Sequence, residues 1–210
     1  AEHIFPGTFE RHYLTMSFRM TDNMSQFMNE CVLGDNRINT NKPSGDKVSY
    51  IVGDPYDDEL HHYLYKEIKN RIKKGAKPDD FFILFAGMKP KTPASRLDKY
   101  LSRKRLTIAF LDSETDNVSE EEMKGKIVMT TFHKSKGRER KYVIVFNVDT
   151  SYFEYYNKTC DPAICPPEMY VALTRATEKM WVIQGKDGKN LRRQCTFFKY
   201  PLDQMCQKYY

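Results

Sequence analysis

No run of apolar residues in this chain approaches the roughly 18–20 that a membrane-spanning helix needs, and its first residues carry no leader pattern. An intracellular protein with no membrane attachment is therefore expected. Cysteine is scarce, at 5 in 210 residues, which excludes a disulfide-built scaffold. Only Cys160 and Cys165 lie close together, and no second tight pair completes a tetrahedral zinc site. Free thiols and no metal are the expectation. Glycine and proline number 10 each, too few for a collagen-like or low-complexity chain, and tryptophan occurs once. What is present is 40% hydrophobic and 13% aromatic residues, enough to fill a globular core.

Charge is the next clue. The balance of 34 basic against 28 acidic residues leaves +6, which many ordinary domains carry, but the charge is grouped. Lys89 to Arg105 holds seven basic residues against Asp98 alone, and Lys124 to Lys141 holds seven against Glu139 alone. Asp112 to Glu122 lies between them with six carboxylates and no Lys or Arg. Such blocks are either solvated faces flanking a loop or a surface for a polyanion.

Hydrophobic periodicity sets the architecture. His12 to Phe18 reads as a strand. Thr21 or Asp22 then caps a helix whose Met24, Phe27, Met28, Cys31 and Val32 share one face, with Gly34 as its stop. Val48 to Val52 is a strand, and Asp54-Pro55 opens a helix that runs to Gly75. Phe81 to Ala86 is a continuous apolar run of the kind that is buried on both faces. Thr92-Pro93 opens a helix, Leu106 to Leu111 is a strand, and Ile127 to Thr131 and Tyr142 to Val148 are two more. Pro166-Pro167 starts a helix through Ala176, and the strand Met180 to Gln184 follows. Strands alternating with helices imply an α/β domain around a mainly parallel sheet.

In such sheets ligands bind at the carboxyl ends of strands, which directs attention to the loops after Phe18, Ala86 and Thr131. The last reads Phe132-His133-Lys134-Ser135-Lys136-Gly137-Arg138-Glu139. A glycine among Lys, Ser and His offers backbone N–H groups and positive charge to an anion, and Glu139 can accept from a sugar hydroxyl. Tyr170 to Ala176 places Arg175 in an otherwise apolar stretch, either neutralised by a structural partner or aimed at a ligand.

Three segments resemble, in order, motifs of the UvrD, Rep and PcrA type of superfamily 1 helicase. Thr131 to Glu139 is similar to motif V (T-x-H-x-S/A-K-G-L-E), Tyr170 to Ala176 (YVALTRA) to motif VI, and Ser17-Phe18-Arg19-Met20 to motif IV. Phe5-Pro6-Gly7 sits where that family often joins its two core domains. The resemblance covers roughly residues 5–184. It implies a three-layer RecA-like, P-loop NTPase-like fold and the second of two motor domains. Residues 1–12 would be the linker from the first motor domain, 13–190 the motor domain itself and 191–210 an extension.

ATP with Mg²⁺ would bind between the two motor domains, the Mg²⁺ ligands lying on the first. Phe18 would stack on adenine, Arg19 and Arg175 would act as arginine fingers, and Lys136, Gly137 and Glu139 would contact the nucleotide. His133, Lys134, Ser135 and Arg138 would lie near single-stranded or partially duplex DNA, with translocation 3′ to 5′ by family analogy. This sequence departs from the pattern where Arg138 and Arg140 replace a Leu and an aromatic residue. It also has only residues 112–126 where the family carries a large accessory domain.

The chain holds no G-x-x-x-x-G-K-[ST] and no strand ending in Asp-Glu, so the catalytic lysine, the metal ligand and the general base are absent from these 210 residues. The expectation is a C-terminal helicase fragment, inactive alone. The alternative is a stand-alone RecA-like module that binds nucleic acid or a partner without ATPase activity.

Overall fold

The computed structural model describes residues 15–111, 119–187, 190–191, 194–198 and 206–209. Its strands in chain order are β1 (Met16–Ser17), β2 (Asn39–Thr40), β3 (Val48–Gly53), β4 (Phe81–Phe85), β5 (Ile108–Leu111), β6 (Ile127–Thr131), β7 (Arg140–Val145), β8 (Ala176–Asp187), β9 (Asn190–Leu191) and β10 (Cys206–Tyr209). The helices are α1 (Asp22–Gln26), α2 (Asp58–Lys73), α3 (Pro93–Arg103), α4 (Glu120–Met123) and α5 (Pro167–Leu173). Strands β10-β3-β8-β7-β4-β6-β5 form one parallel sheet, with β9 folded back antiparallel on β8 and β1 paired with β2 apart from it.

Two apolar layers cover the sheet. Leu60, Leu64 and Ile68 of α2 and Ala94, Leu97 and Leu101 of α3 pack on one face, against Phe81, Ile83 and Phe85. Met24, Phe27 and Met28 and, from α5, Met169, Ala172 and Leu173 pack on the other, against Phe82 and Leu84. Alternate residues of β4 thus serve opposite layers, which is why its sequence is apolar throughout. This is the three-layer RecA-like arrangement expected. Among the described residues no helix is long and apolar enough to cross a membrane.

Local details depart from the sequence reading. The first helix winds more widely after α1, as a π-helical turn over Phe27–Leu33, before Gly34 stops it at φ 67°. Asp54-Pro55 makes a turn, in which Asp54 accepts from the Tyr56 N–H, and it is Asp57 that caps α2. Asp57 takes the cap because its side chain reaches the Glu59 N–H. The helix α5 ends at Leu173 and β8 begins at Ala176, so Arg175 stands in the turn between them and not within a helix. The acidic segment ends in α4, closed by a capping box between Ser119 and Glu122.

The C-terminal segment joins the core. Cys195, Phe197 and Phe198 are buried, and Phe198 meets Phe27 and, edge-on, Tyr50. Phe5-Pro6-Gly7, the expected linker 1–12, residues 112–118 and Arg192 and Arg193 lie outside the described residues.

His61 is wholly enclosed at the start of α2. Its Nε2 donates to the Pro55 carbonyl at 3.0 Å, while Nδ1, buried without a hydrogen-bond partner among the described residues, lies 3.7 Å from Asp58 Oδ1. Burial pulls its pKa below the usual 6.5, against the opposing pull of Pro55 and Asp58. The unfolded chain therefore binds a proton that the folded chain refuses, and stability falls as the pH drops below about 6.5. Denaturant midpoints for the wild type and His61→Phe, taken from pH 7.5 to 5, test this. The difference between them is expected to change across that interval, and parallel curves would show that His61 carries no such linkage.

Candidate nucleotide and nucleic-acid site

Arg19 follows β1, Glu139 precedes β7 and Arg175 precedes β8, and the fold brings all three together. Arg19 Nε donates to Glu139 Oε2 at 2.5 Å, and its Nη1 donates to the Thr174 carbonyl at 3.3 Å. Arg175 donates from Nε to the Val171 carbonyl (2.8 Å), from Nη1 to the Arg138 carbonyl (3.3 Å) and from Nη2 to Thr174 Oγ1 (3.0 Å). Arg175 has structural acceptors and also lines an open cleft of about 490 Å³. A guanidinium has five N–H donors, so three bonds leave Arg175 two to offer a ligand.

Among the described residues Glu139 is the one carboxylate beside the two guanidinium groups in this cleft, and together these three side chains carry a net positive charge. Burial first, and the like charge of Arg19 second, lower the Arg175 pKa, while Glu139 and Tyr170 oppose them. The guanidinium stays charged, because its proton is not lost in proteins. Phe18 stands at the rim of the same cleft with 73% of its surface exposed. An unburied aromatic ring beside paired cations is suited to a flat heteroaromatic ring attached to phosphates.

The segment 132–139 leaves the carboxyl end of β6 and reaches the amino end of β7. Phe132 is buried and stacks on Tyr152. His133 and Lys136 are exposed, and Gly137 adopts φ 79° with open space around it. Ser135, expected beside a single strand, is fully buried and donates its hydroxyl to the Phe132 carbonyl at 2.7 Å. It closes the turn and does not face a ligand. Arg138 points Nη1 to Met123 Sδ at 3.5 Å.

The sequence directed attention to the carboxyl ends of strands, and the three charged residues lie elsewhere. Arg19, Glu139 and Arg175 gather at the amino ends of β7 and β8, because the parallel strands force the segment after β6 to cross the sheet.

A second crevice, about 220 Å³, does open at the carboxyl ends, and the sequence reading did not find it. From β4 the chain leaves toward α3 on one face, and from the neighbouring β7 it leaves toward α5 on the other. Such a divergence opens a gap between adjacent strands. Tyr56, Asn147, Asp149, Ser151, Tyr155 and Tyr156 line it. Asp149 accepts from the N–H groups of Ser151 (2.8 Å) and Gly185 (2.7 Å), whereas the buried Ser151 hydroxyl has no partner among the described residues. Tyr155-Tyr156 after an apolar strand was the available signal. Its meaning depended on β4 lying next to β7, which no local pattern reveals. Among the described residues no His, Cys, Asp and Glu group is arranged to hold a metal ion.

Removing the Arg175 fork leaves the Val171 and Arg138 carbonyls without this donor. Arg175→Ala should cost about 1–3 kcal/mol in urea denaturation, and Arg175→Lys, with one ammonium for three acceptors, should recover only part of it. A loss under about 0.5 kcal/mol would show that the fork does not anchor the turn.

No protein-family model matches the chain, and neither does any curated protein. Among solved structures it is similar to the C-terminal domain of a possible DNA helicase from Lactobacillus plantarum, with a TM-score of 0.57 and 14% sequence identity. The likeness covers 91% of this chain and 98% of that one, and it establishes a shared fold.

Proposed function

We propose that this chain is the second motor domain of an ATP-dependent, UvrD-like superfamily 1 DNA helicase or translocase. The observation that carries the reading is the cleft in which Arg19 and Arg175 stand beside Glu139 and the exposed Phe18. Phe18 takes the adenine and Glu139 the ribose, with Lys136 and Gly137 next to the phosphates. Three N–H groups of Arg19 and two of Arg175 remain for the transferred phosphoryl oxygens. Guanidinium groups held in advance by Glu139, Thr174 and Val171 need little reorganisation as charge builds in the transition state, which is where electrostatic catalysis acts.

The lysine, metal ligand and base for hydrolysis are supplied by a complementary motor domain, since the sequence holds no G-x-x-x-x-G-K-[ST]. ATP with Mg²⁺ lies between the two. His133 and Lys134 meet the phosphates of a single strand, and the crevice under Tyr155 and Tyr156 accepts its bases by stacking. Closing and opening of the nucleotide cleft then moves this surface relative to its counterpart, 3′ to 5′ along DNA by family analogy.

The alternative, a binding module without ATPase activity, draws on one observation: both arginines already bond to protein acceptors. The polypeptide that joins this chain to its complementary motor domain separates the two readings. There Arg19→Gln and Arg175→Lys should each lower kcat for ATP by about 10³-fold or more, with single-strand affinity nearly unchanged. This chain by itself should release no phosphate from ATP. Retention of ATPase by both variants would overturn the arginine-finger assignment.

A further inference from the structure

The two basic blocks are far apart in sequence and separated by an acidic one, yet the fold joins them. Phe85, at the end of β4, pairs with Thr131, at the end of β6, and the Phe132 N–H donates to the Phe85 carbonyl. The loop carrying Lys89 and Lys91 therefore leaves the sheet beside the loop carrying His133 and Lys134. Beyond Lys91 the first loop leads into α3. This helix buries Ala94, Leu97, Tyr100 and Leu101 on the sheet and turns Arg96, Lys99 and Arg103 outward, at i, i+3 and i+7. Exposed Lys104 and Arg105 extend the row.

Three observations set this row apart from an ordinary solvated face. The first is the scarcity of counter-charge among the described residues. Asp98 is the helix's one carboxylate and accepts from Ser102, and the nearest ion pair, Arg103 with Asp58, is 4.0 Å long between mostly exposed groups. The second is crowding. The Tyr100 ring, whose hydroxyl is 3.0 Å from His62 Nδ1, holds Arg103 at 5.8 Å and Lys104 at 5.6 Å, so two like charges share one aromatic platform. The third is backbone geometry. At Gly34, Gly75, Gly125 and Gly137 left-handed turns use glycine, but the two that frame α3 place Lys91 (φ 65°) and Arg105 (φ 61°) there. A side chain in that conformation costs stability that glycine avoids, and at both ends of α3 it adds a cation.

We propose that α3 is a docking surface for the phosphate backbone of double-stranded nucleic acid, continuous with the single-strand loop at His133 and Lys134. The inference rests on the reading above only in taking nucleic acid as the polyanion. The surface is a convex helix studded with point charges and has no aromatic slots, so it suits the outside of a duplex and not unstacked bases. Arg96 to Arg103 spans about 10 Å of helix axis, along which a duplex presents about six phosphates. The exposed Phe110 bounds the row on β5, the edge strand, on the face it shares with Ile108. The fitting substrate is a duplex with a single-stranded tail, the tail on the loop and the duplex on α3.

Fluorescence anisotropy with this chain tests the proposal, using a single strand, a blunt duplex of about 20 base pairs and the same duplex with a tail. In Arg96→Gln/Lys99→Gln/Arg103→Gln both duplex probes should weaken at least about tenfold. The slope of log K against log salt should flatten by about three for the duplexes, while single-strand affinity stays within about twofold. These substitutions alter only exposed side chains, and retained single-strand binding reports an intact fold. A wild-type chain that binds the single strand but neither duplex, or a variant that keeps duplex affinity, overturns the α3 surface and leaves the motor reading standing. A chain that binds none of the probes overturns both.

Discussion

Parallel pairing obliges each connection between successive parallel strands of the chain to travel back along the length of the sheet, and the candidate site is a product of that obligation. The strand β7 has six residues and is about 20 Å long. Residues 132–139 must cover a similar distance between the end of β6 and the start of β7. A helix of eight residues would span only about 12 Å, whereas an extended chain reaches about 27 Å. The segment accordingly keeps a single 3₁₀ turn at His133–Ser135 and extends through Gly137. One short connection therefore shows His133 at the carboxyl edge and Glu139 at the amino edge. If this chain is a motor domain, a shift of that segment is felt at both edges.

The same geometry explains the two tasks of Arg175. It ties the last turn of α5 to the Arg138 carbonyl at the end of the crossing segment, and it lines the cleft with Arg19. Arg19 in turn bonds Glu139 and the Thr174 carbonyl, so β1, the crossing segment and the α5–β8 turn meet in one polar cluster. Two cations around one carboxylate hold the cluster together without neutralising it, and the residual positive charge is available to an anion.

Much of this was legible in the sequence because burial leaves a local record. Phe81 to Phe85 had to be apolar to serve both layers, and Leu60, Leu64 and Ile68 recur at helical spacing because α2 covers one of them. Phe18 and Arg19 were singled out by resemblance, and the exposure of Phe18 excludes the core packing that an aromatic residue at a strand end commonly has. Other features left no such record. Whether Asp54 or Asp57 caps α2 is a competition between two nearby acceptors. Ser135 sits in a row of polar residues, yet its hydroxyl is spent inside the turn. The crevice under Tyr155 and Tyr156, and the joining of the two basic blocks, depend on which strands become neighbours, and strand order is a property of the whole chain.

The pairing of β10 with β3 has a consequence for how the chain reaches this structure. The first strand of the main sheet, β3, has as its two neighbours β8 and β10, both from the last fifth of the sequence. Its apolar residues, Val48 and Tyr50 to Val52, must wait for partners that are synthesised after β4, β5, β6 and β7, while the layer built on β4, β5 and β6 can assemble earlier from nearer contacts. During synthesis the growing chain thus carries a bare hydrophobic strand until Trp181 to Gly185 emerges to pair with it. That interval, and not the finished sheet, is when the protein is most open to non-native strand pairing.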